Sequence, residues 1–151
     1  MHIAWIQLIT CFFGTLGFAL IFHVGRKHIL PATICGFLSC GIYLFCYWVL
    51  HWDNLVSNMA AASFCQLYAE VFARFMKAPT TVFYIPGIIP LIPGGALYNT
   101  MYHVVIKDFE MAKYYGIMTL QLALGVAIGL SLVSALMHIL MSLSRKRAMM
   151  K

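Results

Sequence analysis

Long apolar runs separated by short polar segments dominate the pattern along the chain. A helix needs about 20 apolar residues to cross roughly 30 Å of hydrocarbon. Runs of that length cover residues 3–24, 29–50, 55–76, 80–106 and 114–143. The pattern therefore predicts one all-α transmembrane domain over residues 1–151, with five membrane-spanning helices. Pro31 would then lie in the first turn of the second helix, where proline is tolerated.

The composition supports a membrane protein and excludes most soluble classes. The chain is 63% hydrophobic and 9% charged, and it carries a formal net charge of +6. Water could not solvate so much apolar surface, whereas lipid can. Because the Lys and Arg residues lie near the predicted helix ends, they indicate a contact with anionic lipid and no nucleic-acid partner.

The distribution of cations predicts the orientation. Five helices put the two termini on opposite sides, and one side then holds eight of the ten cations, namely Arg26, Lys27, Arg74, Lys77, Arg145, Lys146, Arg147 and Lys151. The other side holds only Lys107 and Lys113. The positive-inside rule thus predicts an outer N-terminus and a cytoplasmic C-terminus. Trp5, Trp48 and Trp52 would all lie at the outer interface, as in an aromatic belt.

The first apolar run and the cysteines suggest no further chemistry. No basic segment precedes the run and no small-residue cleavage site follows it, so we expect a retained first helix. The five cysteines lie inside apolar runs without the spacing of a disulfide framework or a zinc site. They are expected to be buried free thiols, and the sequence predicts neither a metal site nor a cofactor.

The fourth apolar run is interrupted between Pro86 and Gly95 by three prolines and three glycines in ten residues. Proline removes a hydrogen-bond donor and clashes with the preceding turn, so a continuous helix is costly. A loop facing lipid is also excluded, because its unpaired backbone groups would each cost several kcal/mol. We therefore expect irregular backbone over residues 86–95, buried in protein or lining a cavity, between half-helices over residues 80–85 and 96–106.

Such a break predicts a binding site for an anion. The second half-helix would begin at Gly94 and Gly95, where free N–H groups and the positive end of the helix dipole face the membrane interior. Broken helices of this kind hold substrate carboxylates in secondary transporters. The alternative is a structural kink or re-entrant hairpin satisfied by its neighbours. The predicted substrate-binding residues are Gln66, Arg74, Pro86, Gly87, Pro90, Pro93, Gly94, Gly95, Tyr98 and Asn99.

Glu70 is the one acidic residue well inside a predicted span. It lies roughly 9 Å from the cytoplasmic end of the third helix, and Pro86 lies at about the same depth in the fourth. An ionised carboxylate at that depth is costly unless paired or hydrated, so Glu70 is a candidate proton-coupling residue. Arg74, one turn further on, offers the alternative of a self-contained ion pair. Gln66, one turn before, could share the same site.

Gly125 and Gly129 form a small-xxx-small motif in the fifth span. This motif lets two helices approach closely and predicts a helix contact. The partner helix could belong to the same chain or to another subunit, which leaves a homo-oligomer open.

Several motifs together resemble those of the threonine/serine exporter family, in particular its small five-helix split subunit. They are Ala69-Glu70-x-x-Ala73-Arg74, Pro79-Thr80-Thr81-Val82-Phe83 and Pro86-x-x-x-Pro90-Leu91-x-Pro93-Gly94, with Tyr98 following. The resemblance extends over essentially the whole chain, and the proline-rich element is its most specific part. Valine is usual in this family where Ile92 stands.

The resemblance implies a secondary transporter in the bacterial inner membrane. It would export small hydroxylated amino acids, or in some split pairs dicarboxylates such as succinate, driven by the proton motive force. A larger membrane subunit carrying the other five-helix half would be its partner.

Two other functions stay open on the sequence. An intramembrane transferase would need a nucleophile with a base in reach, and Ser63 has no obvious base or second carboxylate beside it. A scaffold subunit without transport activity would have no need of a costly polar break in mid-membrane. A transporter therefore explains the sequence best.

Overall fold

The computed structural model describes residues 2–149, and it describes the side chains of residues 4–142. Every element within residues 2–149 is helical: α1 His2–Ile21, α2 Arg26–Trp48, α3 Asn54–Met76, α4 Thr81–Ile88, a 3-10 turn Ile89–Leu91, α5 Gly94–Val105 and α6 Phe109–Met149. The all-α prediction is confirmed. Six α-helices replace the five predicted spans, because the fourth run forms two separate helices.

Three of these helices are long and apolar enough to cross a membrane: α1, α2 and the first 34 residues of α6. A fourth candidate arises if α4 and α5, bent by 44° at their junction, count as one broken span. The helix α3 is 23 residues long but too polar to qualify by composition alone. The protein is therefore an apolar helical membrane protein, whereas five crossings and the orientation of the termini stay predictions.

The helix α3 is more polar because it lies at the centre of the bundle. It packs against α2, α4 and α6, and its buried residues include Ser57, Asn58 and Gln66. Polar side chains in a membrane protein are tolerated where they face other helices instead of lipid. A hydropathy criterion can therefore miss a membrane-spanning helix that is surrounded mostly by other helices of the protein.

The glycine motif of α6 lies where α6 and α3 approach each other closely. A Cβ atom added at Gly125 would lie 2.5 Å from the Leu55 carbonyl oxygen, and one at Gly129 would lie 2.5 Å from that of Met59. Only hydrogen fits in such a gap, so the two glycines let α3 and α6 approach backbone to backbone. The predicted helix contact is confirmed, and its partner is α3 of the same chain.

Small side chains also fill the core around α3. One buried cluster consists of Cys35, Ala61, Ala62, Cys65, Ile88 and Leu91, and a second of Ala32, Ala69, Ala73 and Phe83. All five cysteines are free thiols, and all except the half-buried Cys11 are buried. They act as small hydrophobic residues that let α2, α3 and α4 pack closely.

Two predicted features differ from the structure or lie beyond it. Pro31 is the sixth residue of α2 and not in its first turn, because the helix already begins at Arg26. Hydropathy located the edge of the apolar run, whereas the helix extends into the polar pair before it. Four of the cations used for the orientation have side chains outside the described residues, namely Arg145, Lys146, Arg147 and Lys151.

Candidate functional site

The break in the fourth run is shorter than the sequence predicted. Helical backbone continues through Pro86 and Gly87 to Ile88, and the 3-10 turn extends it to Leu91. Only Ile92 and Pro93 separate this turn from α5. The expected irregular segment over residues 86–95, and the half-helices over 80–85 and 96–106, are therefore wrong in their bounds.

The prolines occupy positions where a missing N–H group costs little. Pro90 lies at the N-terminal end of the 3-10 turn, and Pro93 is the N-cap of α5. Neither position requires an N–H donor. Pro86 is buried in the second turn of the short α4, so it removes one hydrogen bond and leaves the helix intact. The number of prolines alone therefore overstates the disruption of the helix, because the effect of a proline depends on its position.

Asn58 on α3 holds the break in place. Its side-chain amide donates to the Leu91 carbonyl oxygen at 3.2 Å and to the Leu122 carbonyl oxygen of α6 at 2.8 Å. The Asn58 residue is 1% exposed. The Leu91 carbonyl ends the 3-10 turn, where an unpaired acceptor would otherwise be buried. Sequence analysis missed Asn58, although a lone amide two turns before Gln66 on the same helical face was a visible signal.

Gly87 lies directly against a pair of buried thiols. The Sγ atoms of Cys35 and Cys65 are 3.5 Å apart. A Cβ atom at Gly87 would lie 3.0 Å from the first sulfur and 3.1 Å from the second. The close packing of α4 on α2 and α3 thus depends on the absence of a side chain at Gly87.

We expect Gly87→Ala to destabilise the protein by about 1–3 kcal/mol, because the added methyl group overpacks the site between two sulfur atoms. Thermal unfolding in detergent measures the loss. Gly94→Ala is the matched control, since a Cβ atom there would have no neighbour within 4 Å. Adding Cys35→Ala to Gly87→Ala should restore part of the stability. Equal stability of Gly87→Ala and wild type would contradict the packing described here.

A polar pocket of about 400 Å³ lies between α3, the start of α4 and α6. Its lining consists of Gln66, Glu70, Thr80, Tyr84, Leu130, Ser131 and Ser134. A tight turn at the end of α3 brings Thr80 to this position: Lys77 adopts a left-handed conformation, and the Ala78 N–H donates to the Ala73 carbonyl oxygen at 3.0 Å. Three separate parts of the chain therefore contribute polar groups to one space.

The acidic group of the pocket is partly shielded. The Glu70 side chain is 15% exposed, and its Oε2 atom lies 3.5 Å from Nη2 of Arg74, whose side chain is 50% exposed. The expected ion pair is thus present but long. Gln66 is 6% exposed, and its Oε1 atom has no hydrogen-bond partner within the described part of the chain. A buried acceptor without a donor is costly and indicates a position where a ligand could donate.

The structure separates the other predicted site residues from this pocket. None of residues 86–99, all of which the structure describes, is part of its lining. Pro90 lines a small apolar groove beside α1. Gly94, Gly95 and Tyr98 are exposed on the surface of the chain, while the half-buried Asn99 donates to the Gly95 carbonyl oxygen at 2.9 Å. The predicted site residues thus form two groups, one around Glu70 and one in residues 86–99, and the two groups lie apart in this chain.

Sequence analysis missed four polar residues of the pocket. These are Thr80, Tyr84, Ser131 and Ser134. The two serines are three residues apart on α6 and so share a helical face, which was a readable signal in an otherwise apolar run. Ser63, the candidate nucleophile of the transferase alternative, instead donates to the Gly129 carbonyl oxygen at 3.4 Å and lies at the α3–α6 contact.

Apolar helices of membrane-spanning length that enclose a pocket with an acidic side chain are typical of membrane transport proteins. The family model described as "Threonine/Serine exporter, ThrE" matches residues 7–136. The chain therefore belongs to the threonine/serine exporter family, as its motifs predicted. No curated protein and no solved structure matches the chain.

Proposed function

We propose that this chain is the small subunit of a proton-coupled secondary transporter in the bacterial inner membrane. It exports a small carboxylate-bearing metabolite, either threonine and serine or a dicarboxylate such as succinate, together with a larger membrane subunit. The observation that carries the proposal is the pocket, which is lined by Glu70 and Gln66 of α3 together with hydroxyl-bearing residues at the start of α4 and on α6. An exporter needs such a polar, partly hydrated site within its apolar helices.

Glu70 supports the proton coupling. It is one of four acidic residues in the chain, and the other three lie in or beside the polar segments at residues 53 and 108–110. A carboxylate that borders both a pocket and apolar helices can take up and release a proton during transport. Arg74 at 3.5 Å provides a counter-charge when the carboxylate is ionised.

The larger partner is supported by the surfaces that this chain leaves uncovered. The pocket has walls from α3, α4 and α6, and no residue of α5 is buried. Transport paths usually lie between two structural repeats, so a second half would supply the missing wall. Gly94, Gly95, Tyr98 and Asn99 would then line the path between the two halves.

The proposed topology has five membrane crossings and an outer N-terminus. Five crossings require α3 to span the membrane at the centre of the bundle, which its 23 residues and its packing on three neighbours permit. Trp5, Trp48 and Trp52 have exposed side chains, as in an interfacial belt. An outer N-terminus is supported by the excess of Lys and Arg on the opposite side of the predicted topology.

Proton-driven threonine export should fall at least about tenfold in Glu70→Gln, because a side-chain amide cannot take up and release the coupling proton. The measurement is flux of radiolabelled threonine and of succinate from proteoliposomes under an imposed proton gradient, with and without the proposed larger subunit. Glu110→Gln is the matched control, since Glu110 lies exposed in the first turn of α6. It should keep the wild-type rate.

Equal rates in Glu70→Gln and Glu110→Gln would refute the site. Absence of gradient-driven flux of both substrates, with the larger subunit present, would refute the transporter itself. Full flux without the larger subunit would refute only the two-subunit assembly.

A further inference from the structure

The pocket is complementary to a positively charged ligand. Its lining offers one carboxylate, from Glu70, and one buried amide oxygen without a donor, from Gln66. No Lys, Arg or His residue is among the lining residues, all of which lie in the described part of the chain. A dicarboxylate would therefore meet an acidic group here, whereas an ammonium group would find two acceptors on successive turns of α3.

The charged and titratable groups around Glu70 leave room for such a ligand. Arg74 approaches its Oε2 atom from the same helix, at 3.5 Å and half exposed to solvent. The polar lining residues of the pocket outside α3 are Thr80 and Tyr84 from the start of α4, and Ser131 and Ser134 from α6. His138 lies one turn beyond Ser134, is exposed and is not part of the lining. Since a carboxylate has about four acceptor positions, one long contact with Arg74 does not saturate it.

We infer that Glu70 binds the ammonium group of the exported amino acid, with Gln66 Oε1 as a second acceptor, and that the coupling proton binds this same carboxylate. The inference rests on the proposed function and narrows it. It assigns the ligand as a small amino acid and not a dicarboxylate. Proton and substrate then exclude one another, because a protonated Glu70 carries no charge to attract an ammonium group.

The exclusion explains how one residue couples two fluxes. In the cytoplasm-facing state the ionised carboxylate binds the substrate ammonium, and the intact zwitterion leaves on the outer side. The carboxylate then takes up one proton there and releases it to the cytoplasm after the return step. No covalent bond changes, and each cycle exchanges one amino acid for one proton.

The test compares two modes of transport in the same proteoliposomes, with the larger subunit present. Net export requires the proton, whereas exchange of labelled for unlabelled threonine at equal pH on both sides does not. If Glu70 binds the ammonium group, Glu70→Gln should reduce both modes at least about tenfold, since the substrate loses its counter-ion. If Glu70 carried only the proton, Glu70→Gln would lose net export and keep exchange. The second result would overturn the inference and leave the proposed transporter intact.

The wild-type protein provides a second test that does not depend on the folding of a variant. An amino alcohol lacking the carboxylate should inhibit exchange, whereas the matching hydroxy acid lacking the amino group should not. Stronger inhibition by the hydroxy acid than by the amino alcohol would overturn the inference. Absence of any threonine flux would instead refute the proposed function.

Discussion

Replacing Gly129 by alanine should destabilise the protein by about 3 kcal/mol or more, although alanine normally favours a helix. The added Cβ atom would lie 2.5 Å from the Met59 carbonyl oxygen, 3.0 Å from the Ala62 Cβ and 3.1 Å from the Ser63 nitrogen. Two of these three neighbours are backbone atoms, which cannot rotate away as a flexible side chain could. The helices α3 and α6 must therefore separate, and the pocket between them opens.

Thermal unfolding in detergent, followed by the loss of helical signal, measures this effect. Gly17→Ala in α1 is the matched control, because a Cβ atom there would have no neighbour within 4 Å. In that position the same substitution should raise stability, by up to about 1 kcal/mol, through the helix preference of alanine. A Gly129→Ala variant as stable as the wild type would show that α3 and α6 are further apart than described.

Replacing Asn58 by aspartate should cost about 3 kcal/mol or more while changing almost no volume. The Asn58 amide donates to two carbonyl oxygens, those of Leu91 and Leu122. An ionised carboxylate has no proton to donate, so it would face two acceptors in a site that is 1% exposed. The variant should either fail to fold or release the 3-10 turn from α3 and α6.

Asn54→Asp on the same helix is the control for this substitution. The Asn54 Oδ1 atom accepts a hydrogen bond from the Tyr43 hydroxyl at 3.4 Å, and aspartate keeps that acceptor. The contrast therefore compares a buried position that requires a donor with a partly buried position that requires an acceptor. Similar unfolding temperatures for the two variants would contradict the role given to Asn58.

Much of the architecture was predictable because it depends on local composition. Apolar runs of membrane length gave α1, α2 and α6, and the small-xxx-small spacing of Gly125 and Gly129 gave the helix contact. The helix α3 fell below the hydropathy of a typical span, since its polar residues face protein. Its position at the centre of the bundle could be read only from the packing.

The candidate site was predictable in part. Glu70 and Gln66 stood out as polar residues in an apolar run, and both line the pocket. Their partners Ser131 and Ser134 belong to a helix distant in sequence, and no local pattern reveals which helices meet. The length of the break was predicted to be too great, because the number of prolines does not show which positions in a helix they occupy.

The pattern of apolar and polar positions along the chain thus determined the class of protein, most of its helices and its candidate acidic residue. Each unpaired polar group in lipid carries its own free-energy cost, so this pattern can be read residue by residue. The family motifs determined the exporter family. Only the tertiary structure decided that the break is two residues long, that Asn58 holds it, and that Glu70 shares a pocket with Ser131 and Ser134 and not with the glycines of α5. These features depend on which distant backbones approach within a few ångströms, and that is decided by packing.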